Sequence, residues 1–115
     1  MTEPTPGGLA QKECVPCRGG VPPLTEPQWK PLLEQLEGWQ VMDGHHLAKD
    51  YRFADFVTAL AFVNRVGEVA ERNGHHPDVH LSWGKVRVEI YTHKIDGLTE
   101  SDFILAAKCD AVERQ

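Results

Sequence analysis

The sequence predicts an α+β domain, a four-stranded antiparallel sheet with three helices on one face, in the order α-β-β-α-β-β-α. Three observations carry that expectation. Strand-like runs fold back on each other around Asp43-Gly44, and again near Gly84-Lys85, where glycine tolerates the backbone of a tight hairpin turn. Between these hairpins, Phe56, Ala59, Leu60, Val63, Val66 and Ala70 recur at three- and four-residue intervals, the period of one helix face. Two hairpins joined by a long helix build a single sheet with its helices layered on one side.

The elements follow in order. Residues 1–23 combine proline and glycine without apolar periodicity, so they read as an arm that buries too little surface to offset its ordering entropy; the domain proper is 24–115. Thr25 with Gln28 forms a capping box, and Trp29, Leu32, Leu33 and Leu36 continue a first helix to Gly38, against the objection of Pro31 inside it. In the first hairpin Leu47, Tyr51 and Phe53 share parity and face the core with the stem of Lys49. Asp55 caps the long helix and Gly74 ends it. Val79, Leu81 and Trp83 alternate with polar residues, as do Val86, Val88 and Ile90, giving the second hairpin. Thr99 and Asp102 open a last helix with Leu105, Cys109 and Val112 on its apolar face.

Composition restricts the function. The chain has 115 residues, enough for one domain with a single core. Twelve Lys and Arg against 17 Asp and Glu give a net charge of −5, which opposes binding to nucleic-acid phosphates. No apolar run approaches the roughly 20 residues that span a bilayer, so no membrane partner is expected. The N-terminus lacks the pattern of a secretion signal, and the expected compartment is the cytoplasm. Cys14 and Cys17 form a C-x-x-C without a second ligand pair, and read as reduced thiols in the arm rather than a zinc site. Cys109 reads as a small core residue. A sheet covered on one face, with proline-free edges, predicts a homodimer or homotetramer through sheet edges or helices.

The stretch "ERNGHHPDVHLSW", residues 71–83, concentrates the chemistry. His75 and His76 follow a helix C-terminus, Glu71 lies four residues before His75, and His93 returns toward the same turn along the antiparallel hairpin, roughly opposite residues 76–77. A second pair, His45-His46, lacks such neighbours and reads as solvated turn-tip residues whose replacement leaves turnover unchanged. Clustered imidazoles fit surface histidines with no joint role, a metal site, or metal-free acid–base catalysis, since imidazole has an ordinary pKa of about 6.5. Between the metal site and the catalytic reading there is no deciding feature in the spacing, and the residue pattern alone leaves both open.

The spacing Glu71, His75-His76-Pro77, Trp83, His93 and Asp102 resembles the signature of the pterin-4a-carbinolamine dehydratases, and "LEGWQV", "YRFADFVTALAFVNRVGEVAE" and "GLTESDFILAAK" extend the resemblance over residues 24–113. The resemblance implies a hydro-lyase without metal or other cofactor, which dehydrates 4a-hydroxytetrahydropterin to quinonoid dihydropterin in tetrahydrobiopterin recycling. It implies His75 and His93 as acids on opposite sides of the pterin, and His76 as the residue that orients the ring and assists proton removal. Glu71 would position imidazoles, Asp102 would complete the site electrostatically, Trp83 would wall the pocket, and Pro77 would set the turn that aims His76. Some members carry an arginine where this chain has Ser101, so a contact through that guanidinium is absent. Some relatives act instead as dimerisation or assembly cofactors of other proteins, which is the alternative role.

Overall fold

The structure is a computed structural model that describes residues 6–12 and 21–114. Its main elements are α1 (Glu26–Leu33), β1 (Gln40–Met42), β2 (His46–Arg52), α2 (Phe56–Asn73), β3 (Asp78–Ser82), β4 (Lys85–Ile90) and α3 (Glu100–Glu113). The strands form one antiparallel sheet in the order β1-β2-β4-β3, as the two hairpins require. α2 covers β3 and β4, α3 lies over β2 and β4, and α1 packs on α3. Between the layers sit Leu47, Tyr51, Val86, Val88 and Ile90 from the sheet, with Phe62 and Val66 from α2 and Phe103, Leu105 and Cys109 from α3. Each fully buried aliphatic or aromatic side chain contributes about 1.5–3 kcal/mol, so this layer is the main source of stability.

Four local readings change. The first helix stops at Leu33 rather than at Gly38. Pro31 has no N–H to donate, and beyond it the hydrogen bonds tighten to Gln35 N–H to Leu32 and Leu36 N–H to Leu33, a 3-10 pattern that ends the α-helix. The buried stripe of α2 is Ala59, Phe62, Val66, Val69 and Ala70, while Phe56, Val57 and Leu60 are exposed. Phe62 settles the rotation of the helix, because its ring packs against Tyr51 and Phe53 at centroid distances of 4.5 and 5.2 Å.

Both hairpin turns also differ in detail. Trp83 is not an inward strand residue: it shares the two-residue turn between Ser82 and Lys85 with Gly84 and is 71% exposed. At the other turn, Asp43 and Gly44 have φ of 57° and 64°, and His45 N–H donates to the Met42 carbonyl, the backbone of a type I′ turn. The ladder then pairs Met42 with His46, so His45 is an additional residue between turn and strand.

Part of the arm is docked. Pro6–Gln11 forms a 3-10 turn against α3, with Leu9 buried and Lys108 Nζ donating to the Ala10 carbonyl at 3.0 Å. Immediately after this segment, Lys12 Nζ donates to Glu100 Oε2 of α3 at 3.0 Å. Cys14 and Cys17 lie outside the described residues, and Cys109 is buried. The sheet face away from the helices is polar, with Arg87 bonded to Asp50 at 3.2 Å and Glu89 at 2.9 Å, and His80 3.7 Å from Glu89. Arg87 hydrogen-bonds the Glu89 carboxylate and holds its pKa below the usual range.

Candidate active site

The site starts at the end of α2. Gly74 takes a left-handed conformation (φ 62°), its N–H bonds to the Glu71 carbonyl, and the His75 N–H reaches back to the Ala70 carbonyl at 3.2 Å. These are the two bonds of a Schellman cap. The helix stop therefore fixes the backbone of His75 directly. Pro77 follows His76 and leads into β3 at Asp78, with its ring limiting the chain's φ at that junction.

Each of the paired histidines has its own carboxylate. His75 Nε2 lies 2.6 Å from Asp102 Oδ1, and His76 Nε2 lies 2.6 Å from Glu71 Oε2. The two pairs differ in setting. Asp102 is fully buried, whereas His76 and Glu71 are 58% and 79% exposed at their side chains. With each Nε2 facing a carboxylate oxygen, the imidazole donates there, and its Nδ1 has no hydrogen-bond partner among the described residues. Such a ring can take a proton at Nδ1 and return it, the arrangement general acid–base catalysis requires.

Asp102 has two roles at once. Its Oδ2 accepts from the Thr99 N–H at 2.7 Å, capping α3, and from the Thr92 hydroxyl at 2.9 Å. Thr92 in turn lies 3.0 Å from Thr99 through their hydroxyls. The buried carboxylate thus gathers a backbone N–H, a hydroxyl and an imidazole, which together offset the cost of burying its charge. Thr92 and Thr99 escaped the sequence reading of the site; a hydroxyl one residue before His93 and another at the cap of Asp102 were the available signal.

His93 arrives differently from the sequence expectation. β4 ends at Ile90, its register sets Asp78 opposite Glu89, and His93 opens a 3-10 turn, His93–Ile95, beyond the ladder. It is exposed and stacks on Tyr91, with centroids 4.2 Å apart. Its link to His75 runs through its neighbour Thr92 and Asp102. Trp83 lies at the far end of β3 from His76, about 20 Å along an extended chain, and does not wall the histidine cluster within one chain. Ser101 is buried beside Asp102 in the first turn of α3. His45 and His46, read as solvated, are half-buried and bonded to one another through their Nδ1 atoms at 3.1 Å.

Among the described residues, no three His, Cys, Asp or Glu side chains converge to hold a metal ion, and no helix is long and apolar enough to cross a membrane.

Comparison with known proteins bears on the family of the chain. The family model "Pterin 4 alpha carbinolamine dehydratase" matches residues 22–112. A provisionally named pterin-4-alpha-carbinolamine dehydratase of Rubrobacter xylanophilus is 59% identical over 102 residues, covering 89% of this chain and 95% of the relative. A relative with the same provisional name from Alkaliphilus metalliredigens is 52% identical, with 89% and 93% covered. A crystal structure described as a transcriptional coactivator/pterin dehydratase from Brucella melitensis superposes with a TM-score of 0.75 at 35% identity, over 79% of this chain and 98% of that one. A pterin dehydratase-like protein described as a RuBisCO assembly factor in the alpha-carboxysome shares the fold, at a TM-score of 0.58 and 20% identity over 67% of this chain and 90% of that one. With most of its length matched by the family model and by relatives above half identity, the chain belongs to the pterin-4a-carbinolamine dehydratase family.

Proposed function

We propose that this protein dehydrates a 4a-hydroxytetrahydropterin to the quinonoid dihydropterin by histidine acid–base catalysis, serving tetrahydrobiopterin recycling. The observation that carries the reading is the pair of carboxylate-held imidazoles, His75 on Asp102 and His76 on Glu71, each with Nδ1 unbonded among the described residues. The reaction needs two proton movements and no redox step. A donor protonates the hydroxyl at C4a, the C–O bond breaks and water leaves, and the N5 proton passes to an acceptor as the C4a=N5 bond forms.

Under this reading His75 and His93 are the acid candidates and His76 orients the ring and receives the N5 proton. Asp102 and Glu71 hold the tautomer that leaves Nδ1 toward substrate. Thr92 and Thr99 hold the Asp102 carboxylate in place through its Oδ2, leaving Oδ1 for His75. Well-placed acid and base groups of this kind contribute about 10²–10⁴-fold each.

The test is stopped-flow decay of enzymatically generated 4a-hydroxytetrahydropterin with and without the protein, repeated after exhaustive chelation. Acceleration that survives chelation is the expected result. Acceleration abolished by chelator would transfer the chemistry to a metal, and no acceleration at all would favour the non-catalytic role of a dimerisation or assembly cofactor.

A further inference from the structure

We infer that His45 and Tyr91 are positioning residues for His93: together they brace the turn that carries it and set the angle of its imidazole. This rests on the dehydratase reading above, in which His93 is a proton donor. It gives a role to the His45-His46 pair, which the motif does not use.

The turn bearing His93 is tied at its base and open at its tip. Thr92 and Gly97 pair through two backbone bonds of 2.9 and 3.4 Å, and Asp96, at φ 53°, donates its N–H to the His93 carbonyl at 3.2 Å. The side chains of His93, Lys94 and Asp96 nevertheless face solvent. Backbone closure fixes where His93 begins, but leaves its ring free to rotate about two torsions. The ring meets Tyr91, at a centroid distance of 4.2 Å and an interplanar angle of 39°. Tyr91 meets a second imidazole, His45, at 4.4 Å and 43°.

His45 also grips the other side of the turn. Its Nε2 lies 2.7 Å from Asp96 Oδ1, so one side chain touches the ring two residues before His93 and the carboxylate three residues after it. Donation from Nε2 to Asp96 leaves Nδ1 as the acceptor for the Nδ1–H of His46 at 3.1 Å. The reach is possible because His45 is the additional residue between the type I′ turn and the ladder, outside the strict in-and-out alternation of β2. An exposed imidazole–carboxylate pair adds little to stability. Its consequence here is orientation, and misplacing a reacting group by about 1 Å can cost up to 10²-fold in rate.

The experiment compares Tyr91→Leu, Tyr91→Phe and His45→Ala with wild type in the stopped-flow assay, with NMR of the His93 imidazole protons. Tyr91→Leu is expected to lower kcat about tenfold at nearly constant KM, and to remove the ring-current shift of the His93 protons. Tyr91→Phe, which keeps the ring, is expected to restore both. His45→Ala, at a partly exposed position that folding tolerates, is expected to lower kcat about threefold and to broaden the His93 signals. An active wild type with unchanged kcat in Tyr91→Leu or His45→Ala overturns the positioning role alone, as does a Tyr91→Phe loss equal to that of Tyr91→Leu. A wild type without turnover overturns the dehydratase reading and this role with it.

Discussion

Asp110 accepts from Trp39 Nε1 at 3.1 Å, from Lys49 Nζ at 2.9 Å and from the Tyr51 hydroxyl, so one buried carboxylate ties β2 and the residue just before β1 to α3. Burial first, and the Asp110 charge second, push the Tyr51 ionisation far above its ordinary value of 10.0. The sign follows directly. Above pH 10 an unfolded tyrosine loses its proton while Tyr51 in the fold keeps it, so the unfolded state gains and stability falls, at about 1.4 kcal/mol per pH unit. Tyr51→Phe is predicted to cost about 1–3 kcal/mol at pH 7 and to remove that alkaline decline; urea denaturation at pH 7 and pH 10.5 checks both. At this scale a role for Glu71 in holding an imidazole was legible because both lie at one helix end, but its spacing pointed to His75 and the partner is His76. The His75–Asp102 pair was less so: 27 residues separate the two, and helix capping alone gave Asp102 sufficient reason to be there. His45 was misread because its partners, Tyr91 and Asp96, lie beyond the end of β4, far from it in sequence.

The end of α2 shows how an element places chemistry. Gly74 lets the chain reverse in the left-handed region, and the bond from His75 N–H to Ala70 fixes His75 at the reversal. Gly74→Ala meets no neighbour within 4 Å of an added Cβ, so the cost is backbone strain alone. It is predicted to be about 1 kcal/mol in chemical denaturation, with the dehydration rate falling further than stability because His75 moves with the cap. The helix itself was legible from its period, but its rotation was not. Val57, Leu60 and Phe56 supply apolar residues beside the true stripe, and only the seat of Phe62 between Tyr51 and Phe53 chooses between them. The same holds for α1, where Leu36 still packs on the core although the helix has ended.

Across the molecule, the sheet's open face carries Asp50, Arg87, Glu89 and His80, so it does not require a cover. Apart from Val21 near the start of the domain, the large exposed apolar side chains among the described residues are Phe56, Val57 and Leu60 on α2, and Trp83 on the β3–β4 turn, which the Phe53 N–H to Gly84 bond draws toward the start of α2. With β3 an edge strand, we propose that a second copy of the chain covers this region. Light scattering should show a homodimer or homotetramer that Val57→Glu with Leu60→Glu reduces to monomer, and a wild-type monomer would contradict the proposal. Layer order and sheet were legible in two hairpins and one long helix. The docked turn at Pro6–Gln11 was not, since its hold on α3 comes from Leu9 and Lys108 rather than from any period.

In the proposed reaction, carboxylate-held imidazoles move the protons. This is tested most directly by the single-turnover decay rate of 4a-hydroxytetrahydropterin on His76→Ala beside wild type, since His76 is exposed enough to be replaced without disturbing the core. A fall of about 10²-fold or more with unchanged thermal stability is expected. A variant that turns over at the wild-type rate would contradict it.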